Sequence, residues 1–187
     1  ENVKKNDIEA LKCLANKVLS DEVPLAISRP VMDCISCSIP QLSRPLDIKN
    51  FGKFAIDMLN SRVVSFEEAD SKLRRLVSKL YEESGDFIMA AKFLSGINME
   101  SGSVPHTSAE KAFVYVHIAE LYLEEEDSVS AEQYINRAGQ VIHEVDDWQL
   151  EYKYRISLSR VLDSQRRFLE AASRYHELSK LHVTKVD

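Results

Sequence analysis

Three segments of the chain superpose on one alanine, and that repeat constrains the fold more than any other feature. The first reads Leu80-Tyr81, Phe87, Ala90 and Leu94; the second Leu121-Tyr122, Ser128, Ala131 and Ile135; the third Val161-Leu162, Phe168, Ala171 and Tyr175. The alanines lie 41 and 40 residues apart. The pattern is that of a helix–turn–helix unit. A large apolar pair closes one helix, a small alanine early in the next lets two backbones approach, and a large residue four positions later fills the groove. One such unit cannot bury its apolar face alone, whereas stacked neighbours can. The spacing predicts an all-α chain, a right-handed superhelical array of helix–turn–helix repeats similar to tetratricopeptide or HEAT arrays. Its period is about 40 residues, looser than the tetratricopeptide period of about 34.

Local signals agree with helices throughout. Gly and Pro together number ten in 187 residues, too few for the many turns of a sandwich or barrel. No stretch alternates strictly between apolar and polar residues, so no sheet is expected. The longest apolar runs are five residues, such as 112–116, against the roughly 20 that a membrane-spanning helix needs. Helical spacing appears over 8–19 and 46–60. Pro30 suits the opening of a short helix that Pro40 closes. Ser65-Phe66-Glu67-Glu68 and Thr107-Ser108-Ala109-Glu110 read as capping boxes, and Asp146-Asp147-Trp148-Gln149 as a third that ends in Gln. Gly85 fits a left-handed position after a helix and Asp86 the next N-cap. The helix from Ala112 to Tyr122 is apolar nearly all round, as expected of a helix buried between neighbours. These signals divide the chain into an irregular helical start, 1–62, and a repeat array, 63–187. The chain opens on Glu1 rather than Met and shows no secretory signal, so we expect a piece of a longer protein.

Patterns that could carry chemistry are incomplete. Cys34-Ile35-Ser36-Cys37 places two thiols three residues apart on a helix, half of a zinc site or a redox pair. Cys13 is remote and the first histidine is His106. The plainer expectation is two small side chains packed in a helix interface, because free cysteine is among the most buried residue types. The zincin helix pattern is half-present twice. His143-Glu144 meets Asp147 where a second imidazole would stand, and His176-Glu177 meets Lys180. Both are expected to be solvated helix ends. No phosphate-binding glycine motif and no Gly-x-Ser-x-Gly elbow occurs. No catalytic, cofactor or metal residues are assigned. The aromatic series Phe113, Tyr115, Tyr122, Tyr134, Tyr152, Tyr154 and Tyr175, at helical spacing, is expected in the repeat core.

Charge narrows the partners. The net charge of −6 lies wholly beyond residue 60, where 16 Lys and Arg face 22 Asp and Glu. No basic stripe is present for nucleic acid. The run Glu124-Glu125-Glu126-Asp127 falls at a turn, where it serves as a solvated loop beside a helix N-terminus or as an acidic contact for a basic partner. Arg166-Arg167 falls at the equivalent turn one repeat later. These six residues are the candidate partner contacts. Three cysteines and no N-x-S/T acceptor site suit a reducing compartment, the cytoplasm or nucleus.

Longer blocks carry a resemblance. They are Val114 to Asp127 (Val-Tyr-Val-His-Ile-Ala-Glu-Leu-Tyr-Leu-Glu-Glu-Glu-Asp), Ala131 to Ala138, and Tyr152 through Asp163, continued by Arg166 to Ser179. Upstream, Ile27-Ser28-Arg29, Arg62 to Glu68, Ala90-Ala91, Gly96-Ile97 and Glu100-Ser101-Gly102 match as well. From about Ile8 onward the chain resembles the subunit-4 family of the COP9 signalosome, within the PCI-domain proteins. The resemblance implies the N-terminal helical arm of a subunit whose PCI part, helices plus a winged helix, is not in this chain. It implies a non-enzymatic scaffold that needs no cofactor. The expected partners are other signalosome subunits and a neddylated cullin–RING ligase, with no nucleic acid and no membrane. The complex removes the ubiquitin-like modifier NEDD8 from cullins, by zinc chemistry in a different subunit. Two other readings are the paralogous PCI scaffold subunit of the proteasome lid and, in a different class, a small zinc or thiol enzyme using Cys34 and Cys37.

Overall fold

The computed structural model describes residues 8–20, 23–41, 44–100 and 105–184. In chain order the helices are α1 (Ile8–Val18), α2 (Leu25–Ser38), α3 (Pro45–Leu59), α4 (Glu67–Glu83), α5 (Phe87–Ser95), α6 (Ser108–Glu124), α7 (Ser128–Val141), α8 (Trp148–Ser164) and α9 (Phe168–Thr184). Short 3-10 segments follow α2 (Ile39–Gln41), α3 (Asn60–Ser65) and α7 (Ile142–Glu144). Among the described residues there is no strand, as the missing alternation predicted. The chain forms two compact units, Glu1–Pro105 and His106–Asp187.

In the first unit α3 is the pivot. Pro45 opens it at the first helical position, and Ile48, Phe51, Ala55, Ile56 and Leu59 form its buried face. Gly52 lies on that face because α4 comes too close for a side chain. A Cβ there would collide with Val77 Cγ2. On α4 the buried positions are Ala69, Asp70, Leu73, Val77, Ser78 and Tyr81, with Leu76 and Leu80 half-buried. Asp70 is buried beside Arg74, whose Nε donates to Asp70 Oδ2 at 2.7 Å. Arg74 also donates from Nη2 to Asn60 Oδ1 at 3.0 Å, and its guanidinium occupies the space a side chain at Gly96 would need. One arginine thus ties the end of α3, the body of α4 and the end of α5. Burial nevertheless outweighs the arginine and raises the Asp70 carboxyl above its ordinary value.

Two expectations are corrected here. Helix α2 begins at Leu25, not Pro30. Pro24, extended at φ −58° and ψ 139°, precedes the first turn and accepts from Ile27 and Ser28 N–H. Pro30 is an interior residue, and the burial of Met32, Ile35 and Ile39 outweighs the one backbone donor it removes. Pro40 does follow the helix end. The Ser65 box does not form: the N-cap of α4 is Phe66, which accepts from Asp70 N–H at 2.9 Å and uses no side-chain cap. Burying the Phe66 ring fixes the entry of the chain, and Ser65 is taken up by the preceding 3-10 segment.

The second unit is two helical hairpins, α6–α7 and α8–α9. Its core joins Ala119, Leu123, Ala131, Ile135 and Val161, with Tyr122, Tyr134, Tyr154 and Leu158 packed against them. Gly139 admits the Tyr154 hydroxyl from α8, since a Cβ there would meet it at 2.8 Å. Helix α6 buries Ala112, Val114, Tyr115, Val116, Ile118, Ala119, Leu121 and Leu123, which cover most of its circumference as expected. The Thr107 box forms in both directions: Glu110 N–H donates to Thr107 Oγ1 and Thr107 N–H to Glu110 Oε2, each at 3.2 Å. The third box does not form, because the helix starts one residue later than the pattern suggests and Leu150 rather than Gln149 takes the position that would close it. Asp147, not Asp146, caps α8, accepting from Gln149 and Leu150 N–H.

All three repeat alanines are buried, and each is the fourth residue of its helix, α5, α7 or α9. The turns before them share one geometry. The N–H of Asp86, Asp127 and Arg167 donates to the carbonyl of Tyr81, Tyr122 and Leu162, at 3.0, 3.0 and 2.9 Å. The N–H of Gly85, Glu126 and Arg166 donates to the carbonyl of Glu82, Leu123 and Asp163. Each turn is a Schellman motif, which requires a left-handed residue one place after the cap. Those residues are Gly85 (φ 78°), Glu126 (φ 60°) and Arg166 (φ 61°).

Candidate docking surface

The two turns of the second unit gather the charged residues singled out in the sequence. In the first, Glu124 ends α6 and receives Arg160 Nη2 of α8 at 2.9 Å. Asp127 caps α7, accepting from Ser130 N–H at 3.1 Å and Ser130 Oγ at 2.7 Å. Those bonds from Ser130 hold the Asp127 carboxyl below its ordinary value. Glu125 and Glu126 are exposed, and the left-handed backbone at Glu126 turns its side chain out of the helical path. In the second turn Arg166 is exposed and left-handed, whereas Arg167 reaches forward to Glu170 with bonds of 2.9 and 2.5 Å. Glu124, Asp127 and Arg167 therefore have internal partners, and Glu125, Glu126 and Arg166 face solvent.

Reading the sequence missed what joins the two turns and what flanks them. Besides Arg160 to Glu124, Gln165 Nε2 donates to Glu132 Oε2 at 2.7 Å, so the edges of the two hairpins are held together twice. Beside the charges lie exposed apolar side chains. Val129 is 66% exposed, Phe168 60% and Leu169 89%. Val129 and Leu169 each stand two residues before the repeat alanine, so the repeat alignment contained this signal. The surface combines two free carboxylates, one free guanidinium and an apolar ledge. Such a surface suits protein docking, where apolar area is surrounded by charge that sets orientation.

Other candidates are placed differently. Cys34 and Cys37 are exposed, as is Cys13, which corrects the expectation of packed thiols. The core face of α2 is carried by Ser28, Met32, Ile35 and Ser36, and the cysteines fall off it. His143 and Glu144 are exposed, and Glu144 accepts from Ser108 Oγ at 2.5 Å; His176 and Glu177 are exposed on α9. Among the described residues no group of three or more His, Cys, Asp and Glu could hold a metal ion. No helix in them is long and apolar enough to cross a membrane. Of the aromatic series, Tyr115 is buried and Tyr122, Tyr134, Tyr152 and Tyr154 are half-buried. Phe113 and Tyr175 are exposed and so depart from the expected core.

Comparison with known proteins matches this architecture to one family. The family model described as "PSMD12/CSN4, N-terminal" matches residues 2–187. Curated relatives called COP9 signalosome complex subunit 4 include one from Arabidopsis thaliana, 34% identical over 181 residues, covering 97% of this chain and 45% of the relative. The Drosophila melanogaster protein is 36% identical over 172 residues, 92% of this chain and 42% of its own length. The Dictyostelium discoideum protein is 35% identical over 179 residues, 95% and 45% respectively. The chain spans less than half the length of these relatives. With the family model matching it nearly end to end, the chain belongs to the PSMD12/CSN4 N-terminal family.

Proposed function

We propose that this chain is the helical arm of a COP9 signalosome subunit of the subunit-4 type, a non-catalytic scaffold that binds other signalosome subunits and helps dock a neddylated cullin–RING ligase. The observation that carries the reading is identity of about a third along 92–97% of the chain to relatives that bear that name. The docking surface supports it. Its exposed acids and apolar ledge suit a partner with basic and apolar groups, and its charges act chiefly on association rate. The reading places the protein in cytoplasm and nucleus, with no nucleic acid and no membrane among its partners. The test is a pull-down of neddylated cullin–RING ligase by signalosome assembled with this protein in the subunit-4 position, set against assembly without it. Capture that depends on the protein is expected. Equal capture in its absence would overturn the docking role.

A further inference from the structure

The structure assigns a second feature to the opposite end of the chain: we infer that Cys34 and Cys37 form a reversible dithiol, closed to an intramolecular disulfide by peroxide. Both thiols are exposed on α2 and three residues apart, so they share one side of the helix. Neighbours at that spacing have Cβ atoms about 5–6 Å apart. A disulfide needs about 3.5–4.5 Å. Closing the bond thus requires the two Cβ atoms to approach by an ångström or two, on the order of the difference between those ranges.

The local structure is weak where that approach must occur. Helix α2 gives way to the 3-10 turn Ile39–Gln41 directly after Ser38, so Cys37 lies in its last turn. Winding that turn as 3-10 would not help, because residues three apart then eclipse at about 6 Å, at roughly 2.0 Å of rise per residue; the last turn of α2 has to open instead. The end of α2 is also loosened by its own side chains: Ser36 Oγ donates to the Asp33 carbonyl at 2.8 Å and Ser38 Oγ to the Cys34 carbonyl at 2.7 Å. Hydroxyls bonded back to the helix in this way bend and weaken it. Upstream, Pro30 has already removed one backbone donor. A further feature is Lys72 of α4. Its charge is favoured first by its hydrogen bond to Glu68, with smaller contributions from Cys37 and Asp33, which places a cation within electrostatic reach of the Cys37 sulfur. The thiolate form of a cysteine is the species that attacks peroxide.

The reaction balances in two steps. One cysteine thiolate displaces hydroxide from hydrogen peroxide and becomes a sulfenic acid. The other thiol then attacks that sulfur, forming the S–S bond and releasing water. Two thiols and one peroxide give one disulfide and two waters. Because Ile35 and Ile39 are buried between and beyond the two thiols, opening this turn shifts core side chains, and the oxidised form is expected to melt lower than the reduced one. A disulfide strained by that packing is also readily reduced.

Peptide mapping tests this directly. Prolines follow Arg29 and Arg44, so trypsin leaves both thiols in one peptide, residues 18–49, and puts Cys13 in another. After mild hydrogen peroxide and alkylation of the folded chain, peptide 18–49 is expected unalkylated and lighter by two hydrogens than its reduced form. Dithiothreitol should restore two alkylatable thiols and the original melting temperature. In Cys37→Ser the peptide should instead carry a sulfenic acid or its mixed disulfide at Cys34. Two alkylatable thiols in peptide 18–49 at a dose that oxidises Cys13 would overturn the inference. So would disulfide formation with no shift in melting.

Discussion

The turn of the first unit and the two turns of the second are one backbone structure with different residues at its strained point. All three close the preceding helix with the same pair of hydrogen bonds, and all three need one left-handed residue. The first unit uses Gly85, for which that conformation costs nothing sterically. The second uses Glu126 and Arg166, which bear a cost of about 1–2 kcal/mol each by the general preference against left-handed backbone. The Schellman hydrogen bonds and the packing of the flanking helices hold them there. The difference coincides with the proposed docking surface: the turn with glycine presents no side chain, and the turns with strained residues present the carboxylate and guanidinium proposed for docking. Strain at a solvent-facing charged residue directs attention to what that residue contacts.

The largest expected effect tests whether the three hairpins are truly equivalent. Ala90, Ala131 and Ala171 are all buried where paired helices approach. Replacing any one by Asp introduces a buried, unpartnered carboxylate and is expected to cost about 3 kcal/mol or more in denaturant unfolding. Melting within a degree or two of wild type for any one of them would remove that hairpin from the set.

Capping separates the third turn from the first two. Asp86 accepts from Met89 N–H and Asp127 from Ser130, whereas Arg167 offers no acceptor and pairs with Glu170 instead. Asp86→Ala and Asp127→Ala should each cost about 1 kcal/mol. Arg167→Ala should cost less, because an exposed ion pair contributes about 0–1 kcal/mol. The pH dependence follows from the same bonds. The Asp127 carboxyl is depressed in the folded state, so its contribution is fully present above the unfolded value and is lost as pH falls through the folded value. Buried Asp70 in the first unit has the opposite sign. Its carboxyl is raised, so the folded state keeps a proton that the unfolded state releases, and stability falls as pH rises through that window. Acid titration of stability in Asp127→Ala should show a shallower acid loss than wild type; an unchanged slope would discount the cap.

A smaller effect probes the strained residues themselves. Gly85→Ala is expected to destabilise by about 1 kcal/mol, and Glu126→Gly and Arg166→Gly to stabilise by up to about 1 kcal/mol each. Equal and opposite shifts in melting temperature would confirm one backbone under three sequences. Destabilisation by Glu126→Gly would show that its side chain supports the fold.

The same comparison explains what could be read in advance. The hairpins, their alanines and the Gly85–Asp86 turn were legible, because burial of a small residue and a left-handed glycine both leave local marks. The left-handed geometry of Glu126 and Arg166 was not, since it is imposed by hydrogen bonds that run back three and five residues to carbonyls of the preceding helix rather than by the residues' own preference. Ser65 carried a capping pattern that the burial of Phe66 overrode, and of the adjacent Asp146 and Asp147 the pattern favoured the wrong one. Cys34 and Cys37 were misplaced by a general tendency of cysteine, when Met32, Ile35 and Ile39 already marked a different core face. The Arg160–Glu124 pair joins residues 36 apart and depends on how the two hairpins abut, which no local pattern records.

That geometry also refines how the docking surface is tested. Neutralising Glu124 breaks its pair with Arg160, and neutralising Asp127 removes a cap, so both confuse docking with folding. Glu125 and Glu126 are free of these roles. The most direct measurement is therefore the association rate of neddylated cullin–RING ligase with immobilised chain over a salt series, for wild type and for the double substitution Glu125→Gln, Glu126→Gln. Screening by salt weakens exposed charge over about 10 Å at 0.1 M. The account predicts slower association for the double variant, a flatter salt dependence, and an unchanged melting temperature. Identical association rates at every salt concentration would contradict it.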